Sequence, residues 1–328
     1  MLLLRDVRQS SLAGATVLTI GNYDGVHRGH QALLDRVVAE AAAYGKAHPQ
    51  SGPVNAGLLT FDPHPLSVLR PDLPLQLLTT PQERLDLAAR QGINLGILHP
   101  FDRETAALPP AAFMRLLVDH LGLVCLVTGP DFALGRDRTG DLAALAGLGK
   151  QLGYTVVTLS TLDWQGEAVR SRVIRELLGQ GDVERAGRRL GRTYAVCGPV
   201  VDGDGRGRTI GIPTANVAYP PHKLLPADGV YVTRTRLGED GPSYGSVTNI
   251  GVRPTVDGVH HKVETHLLDF PPRDTGGDVD GNLYGQTVTV EFLHRLRGEE
   301  RFASLDDLIF QIRADIEAAK RILMAEFT

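Results

Sequence analysis

The sequence predicts two domains of different class: a helix-flanked parallel α/β sheet, then an antiparallel β-barrel or sandwich closed by one helix. Three observations predict it. Apolar runs alternate with helix-like segments up to about residue 182. Beyond that point strand-like runs follow one another, separated only by turns rich in glycine and proline. The length, 328 residues, suits two domains of roughly 100–200 residues each.

In the first half, Ala15 to Ile20 is a short apolar run that ends in a glycine-rich turn. His30 to Tyr44 reads as a helix closed by Gly45, and Ala56 to Phe61 as a second strand. Pro81 to Gln91 is helical, with Thr80 as N-cap, proline at the first helical position and Gly92 as the stop. Ile93 to Leu98 is a strand, Pro110 to His120 a helix, and Leu123 to Val127 a strand. Gly140 to Gly149 reads as a helix and Thr155 to Leu159 as a strand. The strands are continuously apolar rather than alternating, so both faces of a parallel sheet must be covered.

The second half offers strands at Tyr194 to Val201, Gly229 to Thr235, Tyr244 to Ile250, Val263 to Leu268 and Thr287 to Leu293. A final helix follows Ser304, a good N-cap, with Asp306 and Asp307 in its first turn. Leu305, Leu308, Ile309, Ile312, Ile316 and Leu323 form its apolar stripe. The domain boundary is expected within the charged segment Gly179 to Arg192, dividing the chain into 1–182 and 183–328. Pro271 to Gly281 is a polar loop without core-forming residues.

Composition narrows the function classes. The chain is 42% hydrophobic and 22% charged, with a net charge of −4, so no global basic field calls for nucleic acid. Its two cysteines, Cys125 and Cys197, lie far apart in apolar surroundings. They read as reduced thiols of a cytoplasmic protein, not as a disulfide framework or a zinc site. Met1 to Asp6 meets charge too early for a signal-peptide core, and Leu121 to Val127 is too short to span a bilayer. No membrane partner is expected; a homo-oligomer stays open.

Two segments carry chemistry. The first, Gly21-Asn22-Tyr23-Asp24-Gly25-Val26-His27-Arg28-Gly29-His30, follows a strand and opens a helix. Helix starts present unpaired N–H groups that bind anions, and His27 and His30 add donors. The spacing differs from the dinucleotide G-x-G-x-x-G turn. A zinc pair and a purely structural turn are alternatives on this segment alone. The second segment, Gly203-Asp204-Gly205-Arg206-Gly207-Arg208-Thr209-Ile210-Gly211-Ile212-Pro213-Thr214-Ala215-Asn216, lacks the Gly-Lys-Ser/Thr of a P-loop. Its glycines allow a phosphate cradle, or simply a flexible hairpin tip. Thr214 and Asn216 are two apart, so on a strand they share a face and offer neutral oxygens to a hard cation.

The histidine segment resembles the nucleotidyltransferase superfamily and, over its full length, the bacterial FAD synthetase family. Thr60-Phe61-Asp62-Pro63-His64-Pro65 and Thr128-Gly129-Pro130-Asp131-Phe132-Ala133-Leu134-Gly135-Arg136 resemble further motifs of that family, in the same order. Arg170-Ser171-Arg172-Val173-Ile174-Arg175 stands where the family usually has Ser-Ser-Thr-x-Ile-Arg, with Arg170 and Arg172 in place of hydroxyl residues. The second segment resembles the riboflavin kinase signature, and Asp228 to Tyr231, Asn249 to Thr255 and Val263 to His266 match in order.

The resemblance implies a Rossmann-like nucleotidyltransferase domain followed by an antiparallel β-barrel riboflavin kinase domain. It implies phosphorylation of riboflavin to FMN, then adenylation of FMN to FAD, with ATP and Mg²⁺. In the first domain it places His27 and His30 as catalytic contacts to ATP phosphates. Gly21, Asp24, Gly25, Gly29, Ser171 and Arg175 would stand around the phosphates, and Asp62, Pro63, His64 and Asp131 near the flavin. In the second it makes Glu264 the catalytic base, and Thr214 and Asn216 the metal ligands. Gly203, Gly205, Gly207, Arg208 and Gly211 would cradle ATP, with Tyr231, Asn249 and Arg297 at the flavin. A narrower reading, a working kinase with a degenerate adenylyltransferase half, is motivated by Arg170 and Arg172. A nucleotide-binding regulator touching RNA is the third reading, opposed by the acidic balance.

Overall fold

The computed structural model describes residues 1–9, 11–160, 163–164, 167–203, 206–255, 258–271 and 282–326. These form two compact units, Met1–Ser171 and Arg172–Thr328.

In the first unit, β1 (Leu2–Leu4) and β2 (Ala15–Ile20) lead into α1 (Arg28–Ala47). They are followed by β3 (Val54–Phe61), α2 (Pro65–Leu69), α3 (Pro81–Arg90), β4 (Leu95–His99), α4 (Arg103–Ala107), α5 (Pro110–Leu121), β5 (Leu123–Thr128), α6 (Leu142–Leu152) and β6 (Thr155–Thr158). The six strands form a parallel sheet in the order β1-β4-β3-β2-β5-β6. Successive residues of each strand serve opposite faces. Leu18, Leu59, Ile97 and Leu126 pack with Phe113, Met114 and Leu117 of α5. Val17, Leu58 and Val127 pack with Leu34 and Val37 of α1 and Ala88 of α3. Burial on both faces is why the strand sequences do not alternate. The reading of α3 is borne out in detail. Thr80 Oγ1 accepts from Glu83 N at 3.2 Å while Thr80 N donates to Glu83 Oε2 at 2.7 Å, a reciprocal capping box.

A short hairpin, β7 (Asp163–Trp164) with β8 (Glu167–Ala168), precedes α7 (Ser171–Gly179) and α8 (Val183–Leu190). The charged segment expected to separate the domains therefore contains a helix. Asp182 caps it by accepting from Arg185 N at 2.9 Å, and Val183, Ala186 and Leu190 are buried one turn apart.

In the second unit, β9 (Tyr194–Val201), α9 (Arg206–Thr209), β10 (Ala215–Val217), β11 (Gly229–Leu237), β12 (Ser243–Thr255), β13 (Gly258–Leu267) and β14 (Thr287–Arg297) precede α10 (Leu305–Glu326). The strands close into an antiparallel barrel, β10-β13-β12-β11-β14-β9. Closure, which strand patterning alone does not reveal, decides barrel over sandwich. The interior is partly hydroxylic. Thr233 meets Ser246 at 2.8 Å and Thr248 at 2.7 Å, Thr235 meets Ser246 at 2.8 Å, and Thr248 meets Thr265 at 2.9 Å. All five side chains are inaccessible to solvent. On the outer face, Val230, Val232, Val247 and Leu268 pack against Ala319 and Leu323 of α10. Ser304 caps α10 through Asp307 N at 3.1 Å. Of its expected stripe, Leu323 is buried, whereas Leu305 is 59% exposed at the mouth of a cavity described below.

Candidate functional site

Each unit presents its own candidate site. In the first, β2 lies between β3 and β5, where the strand order reverses. Such a switch point opens a crevice at the carboxyl ends of the strands, the usual ligand position in open α/β sheets. Three sequence segments leave the sheet there: Gly21 to His30 after β2, Asp62 to His64 after β3, and Gly129 to Arg136 after β5. The first is a contorted turn. Tyr23 (φ 50°), Gly25 (φ 88°) and Val26 (φ 39°) are left-handed, a conformation that costs energy for the two non-glycine residues.

The turn ends in His27, which caps α1 by accepting from His30 N at 3.3 Å. The two imidazoles stack, with ring centroids 3.7 Å apart and planes 12° from parallel. His30 Nδ1 is buried without a hydrogen-bond partner among the described residues. Desolvation, and then the neighbouring His27, hold the His30 pKa well below the usual imidazole value. His30 is thus a neutral ring near pH 7. Gly29 lets this stack form, since a Cβ there would lie 3.3 Å from the His27 ring.

Asp24, expected beside a phosphate, instead works from beneath the turn. It is 2% exposed, and its carboxylate accepts from Leu78 N (3.2 Å), Thr79 N (3.0 Å) and Thr79 Oγ1 (3.2 Å). Ser171 Oγ donates to the Asp24 carbonyl at 2.8 Å, which ties the start of α7 to the turn. Arg175 lies one turn further along α7. Asp62 and Pro63 are joined by a cis peptide, and His64 caps α2 through Leu66 N at 3.1 Å. Asp131 is exposed and faces Arg170 at 3.9 Å, while Arg172 pairs with Glu176 at 3.5 Å.

In the second unit, strand register assembles residues distant in sequence. Asn216 of β10 pairs with Glu264 of β13, Glu264 with Asn249 of β12, Asn249 with Val230 of β11, and Val230 with Arg297 of β14. This row crosses the floor of a cavity of about 760 Å³. Its polar lining includes Gly203, Gly207, Thr214, Asn216, Lys262, Glu264 and His266; its apolar lining includes Val230, Val247, Phe302, Ile312 and Ile316. That size and mixture suit a small-molecule site.

The glycine segment packs close to the oxygen donors. A Cβ at Gly203 would collide with the Asn216 amide, and one at Gly207 would lie 3.3 Å from Thr214 Oγ1. Gly211 is left-handed (φ 76°). Gly205 and the Arg208 side chain, both expected at ATP, lie outside the described residues, as does 272–281 of the polar loop. Among the described residues no group of three or more His, Cys, Asp or Glu could hold a metal ion. Thr214 and Asn216 fit a hard cation that takes its remaining oxygens from phosphate.

Two expected flavin contacts are otherwise engaged. Tyr231 does not line the cavity. It is fully buried edge-on to Phe292 at 5.3 Å, its hydroxyl donates to the Ala227 carbonyl, and burial pushes its pKa up to about 12. Arg297 does line it, but its guanidinium is held by Asp315 of α10 at 2.8–3.2 Å and lies 5.7 Å from the Phe302 ring centroid. Sequence reading missed Asp315. A carboxylate between Ile312 and Ile316 on an apolar helix face was the available signal. Arg84, on the same face of α3 as the buried Leu85 and Ala88, left the same kind of signal.

Comparison with known proteins covers both units. A family model described as FAD synthetase matches residues 9–173, and one described as riboflavin kinase matches residues 190–323. The chain is 38% identical to the bifunctional riboflavin kinase/FMN adenylyltransferase of Pseudomonas fluorescens over 310 residues, 93% of this chain and 92% of that protein. It is 37% identical to the protein of the same name from Escherichia coli K12 over 318 residues, 96% of each. Among solved structures, a protein described as a macrolide-efflux protein from Streptococcus pneumoniae matches with a TM-score of 0.83 at 28% identity, over 97% of this chain and 98% of that one. Among the described residues of the present chain, no helix is long and apolar enough to cross a membrane.

Proposed function

The chain belongs to the bifunctional riboflavin kinase/FMN adenylyltransferase family, and we propose how its own residues divide the two reactions. It transfers the γ-phosphoryl group of ATP to riboflavin, giving FMN, and the adenylyl group of a second ATP to FMN, giving FAD and pyrophosphate. We assign adenylyl transfer to residues 1–182 and phosphoryl transfer to 183–328, in keeping with the two family-model spans.

The kinase assignment is carried by the cross-strand row Asn216–Glu264–Asn249 in the cavity floor. The riboflavin 5′-hydroxyl has a pKa far above neutrality, so a carboxylate must take its proton as the oxygen attacks phosphorus. Glu264 is placed for that, with Asn249 beside it to orient the ribityl chain. The glycine segment cradles the ATP phosphates, and Thr214 and Asn216 would hold Mg²⁺. Bound there, the ion supplies charge neutralisation of the phosphates.

Adenylyl transfer needs no comparable base, because the FMN phosphate is already an anionic nucleophile toward the α-phosphorus. Catalysis is then positioning and charge stabilisation as pyrophosphate leaves. His27 and His30 serve at the phosphates, the neutral His30 ring still offering one N–H donor. Asp62 to His64 and Asp131 recognise FMN. We place the enzyme in the cytoplasm, where Cys125 and Cys197, both free thiols, stay reduced.

The test is a time course with riboflavin, ATP and Mg²⁺: FMN should appear first and FAD after it. Absence of both flavin nucleotides overturns the assignment. Supplying FMN and ATP directly measures whether Arg170 and Arg172 weaken the second step.

A further inference from the structure

We propose that Arg84 and Thr79 are positioning residues for FMN adenylylation, clamping the Asn22–Val26 turn in the shape that receives ATP. The inference rests on the reading that Gly21 to His30 binds the ATP phosphates.

The clamp has two jaws. At the front of the turn, Arg84 Nη1 donates to the Asn22 carbonyl and to Thr60 Oγ1, both at 3.0 Å. Thr60 Oγ1 donates to the same Asn22 carbonyl at 3.1 Å. That carbonyl belongs to the peptide preceding Tyr23, the first left-handed residue. At the back, Thr79 Oγ1 accepts from Gly25 N at 2.9 Å and meets the Asp24 carboxylate at 3.2 Å, which Thr79 N also reaches at 3.0 Å. Of the left-handed residues, Tyr23 lies between these jaws, Gly25 is gripped by the back jaw through its N–H, and Val26 follows directly.

The arrangement is a poor way to obtain stability alone. Arg84 is 1% exposed, and both acceptors on its Nη1 are neutral. A buried guanidinium costs more than an apolar residue of similar size would. Strained backbone likewise persists only where its surroundings over-determine it. Both costs converge on the turn that delivers His27 and His30, so the clamp serves the geometry of that turn.

The experiment uses the full-length protein and reads both reactions in each variant. Arg84→Lys and Thr79→Val should raise the KM for ATP in FMN adenylylation about tenfold, since small misplacements of a positioned group carry such penalties. Thr79→Ser, which keeps the hydroxyl, should restore the normal KM. Riboflavin phosphorylation should be unchanged throughout, which reports that the barrel is folded, and an unchanged circular dichroism spectrum reports the same for the first unit. An unchanged KM for ATP in Thr79→Val overturns the proposal. So does a fall in kcat at constant KM, which indicates only fewer folded molecules. If Arg84→Lys loses both reactions through misfolding, the Thr79 pair decides. His30→Asn separates the two levels. If it retains adenylylation, the phosphate-site reading itself fails. If it loses adenylylation while Thr79→Val behaves normally, only the clamp is refuted.

Discussion

The role proposed for Glu264 depends on its neighbours. As a lone strand carboxylate it would be a solvated surface group; in register with Asn216 and Asn249 it stands among oxygen donors over a cavity. Glu264→Gln keeps the shape and removes the proposed proton acceptor. It should abolish FMN formation while FAD is still made from added FMN, and His27→Ala should do the reverse. Separate assays with riboflavin and with FMN check both. His30 makes a prediction about pH. In the unfolded chain it binds a proton near pH 6.5, whereas in the folded chain desolvation and His27 hold its pKa well lower. Its contribution to stability is therefore full above about pH 6.5 and lost as pH falls toward the folded value. His99, lowered chiefly by burial, acts in the same direction. Urea midpoints measured from about pH 7 down to 5 should fall for the wild type and fall less for His30→Asn.

Among elements, the glycine segment and α10 make the barrel cavity. Gly203→Ala would push a methyl group into the Asn216 amide. It should slow phosphoryl transfer by about tenfold or more and leave adenylylation unchanged. Asp315→Asn removes the charge that holds Arg297, a side chain only 15% exposed. Breaking such a pair costs about 3 kcal/mol, visible as a lower midpoint for unfolding of the barrel. The long elements were legible in the sequence because their periods are clear and their caps are local: Thr80, Ser304 and the edges of β9 all stand where the residues place them. Short elements were not. The three-residue strands β1 and β10 are too brief to show a period, and α8 was hidden by its charge although Val183, Ala186 and Leu190 mark a buried face. At the sites, residue types were legible and partners were not. Asp24, Ser171, Tyr231 and Arg297 each point to chemistry by type, yet their hydrogen bonds run to Thr79, Asp24, Ala227 and Asp315, contacts set by folding rather than by nearby sequence.

At the scale of the whole molecule, His27 and His30 lie in the first unit, and Asn216, Glu264 and Asn249 in the second. Two crippled chains should therefore complement each other. Mixed Glu264→Gln and His27→Ala proteins should convert riboflavin to FAD, although neither does so alone. Chromatography of the flavins checks this, and FMN accumulating without FAD would show that the intermediate is not taken up from solution. The hydroxyl lattice inside the barrel has a further consequence for such chemistry. Slip β11 or β12 by a single residue and Thr233 or Ser246 turns outward beneath α10 while Val232 or Val247 turns inward; slip β13 and Thr265 turns outward while Glu264 or His266 turns inward. In a closed ring that error has no free edge at which to dissipate. The lattice thus works like a key code for strand alignment: the same fit that satisfies its hydroxyls also brings Asn216, Glu264 and Asn249 into line on the opposite face.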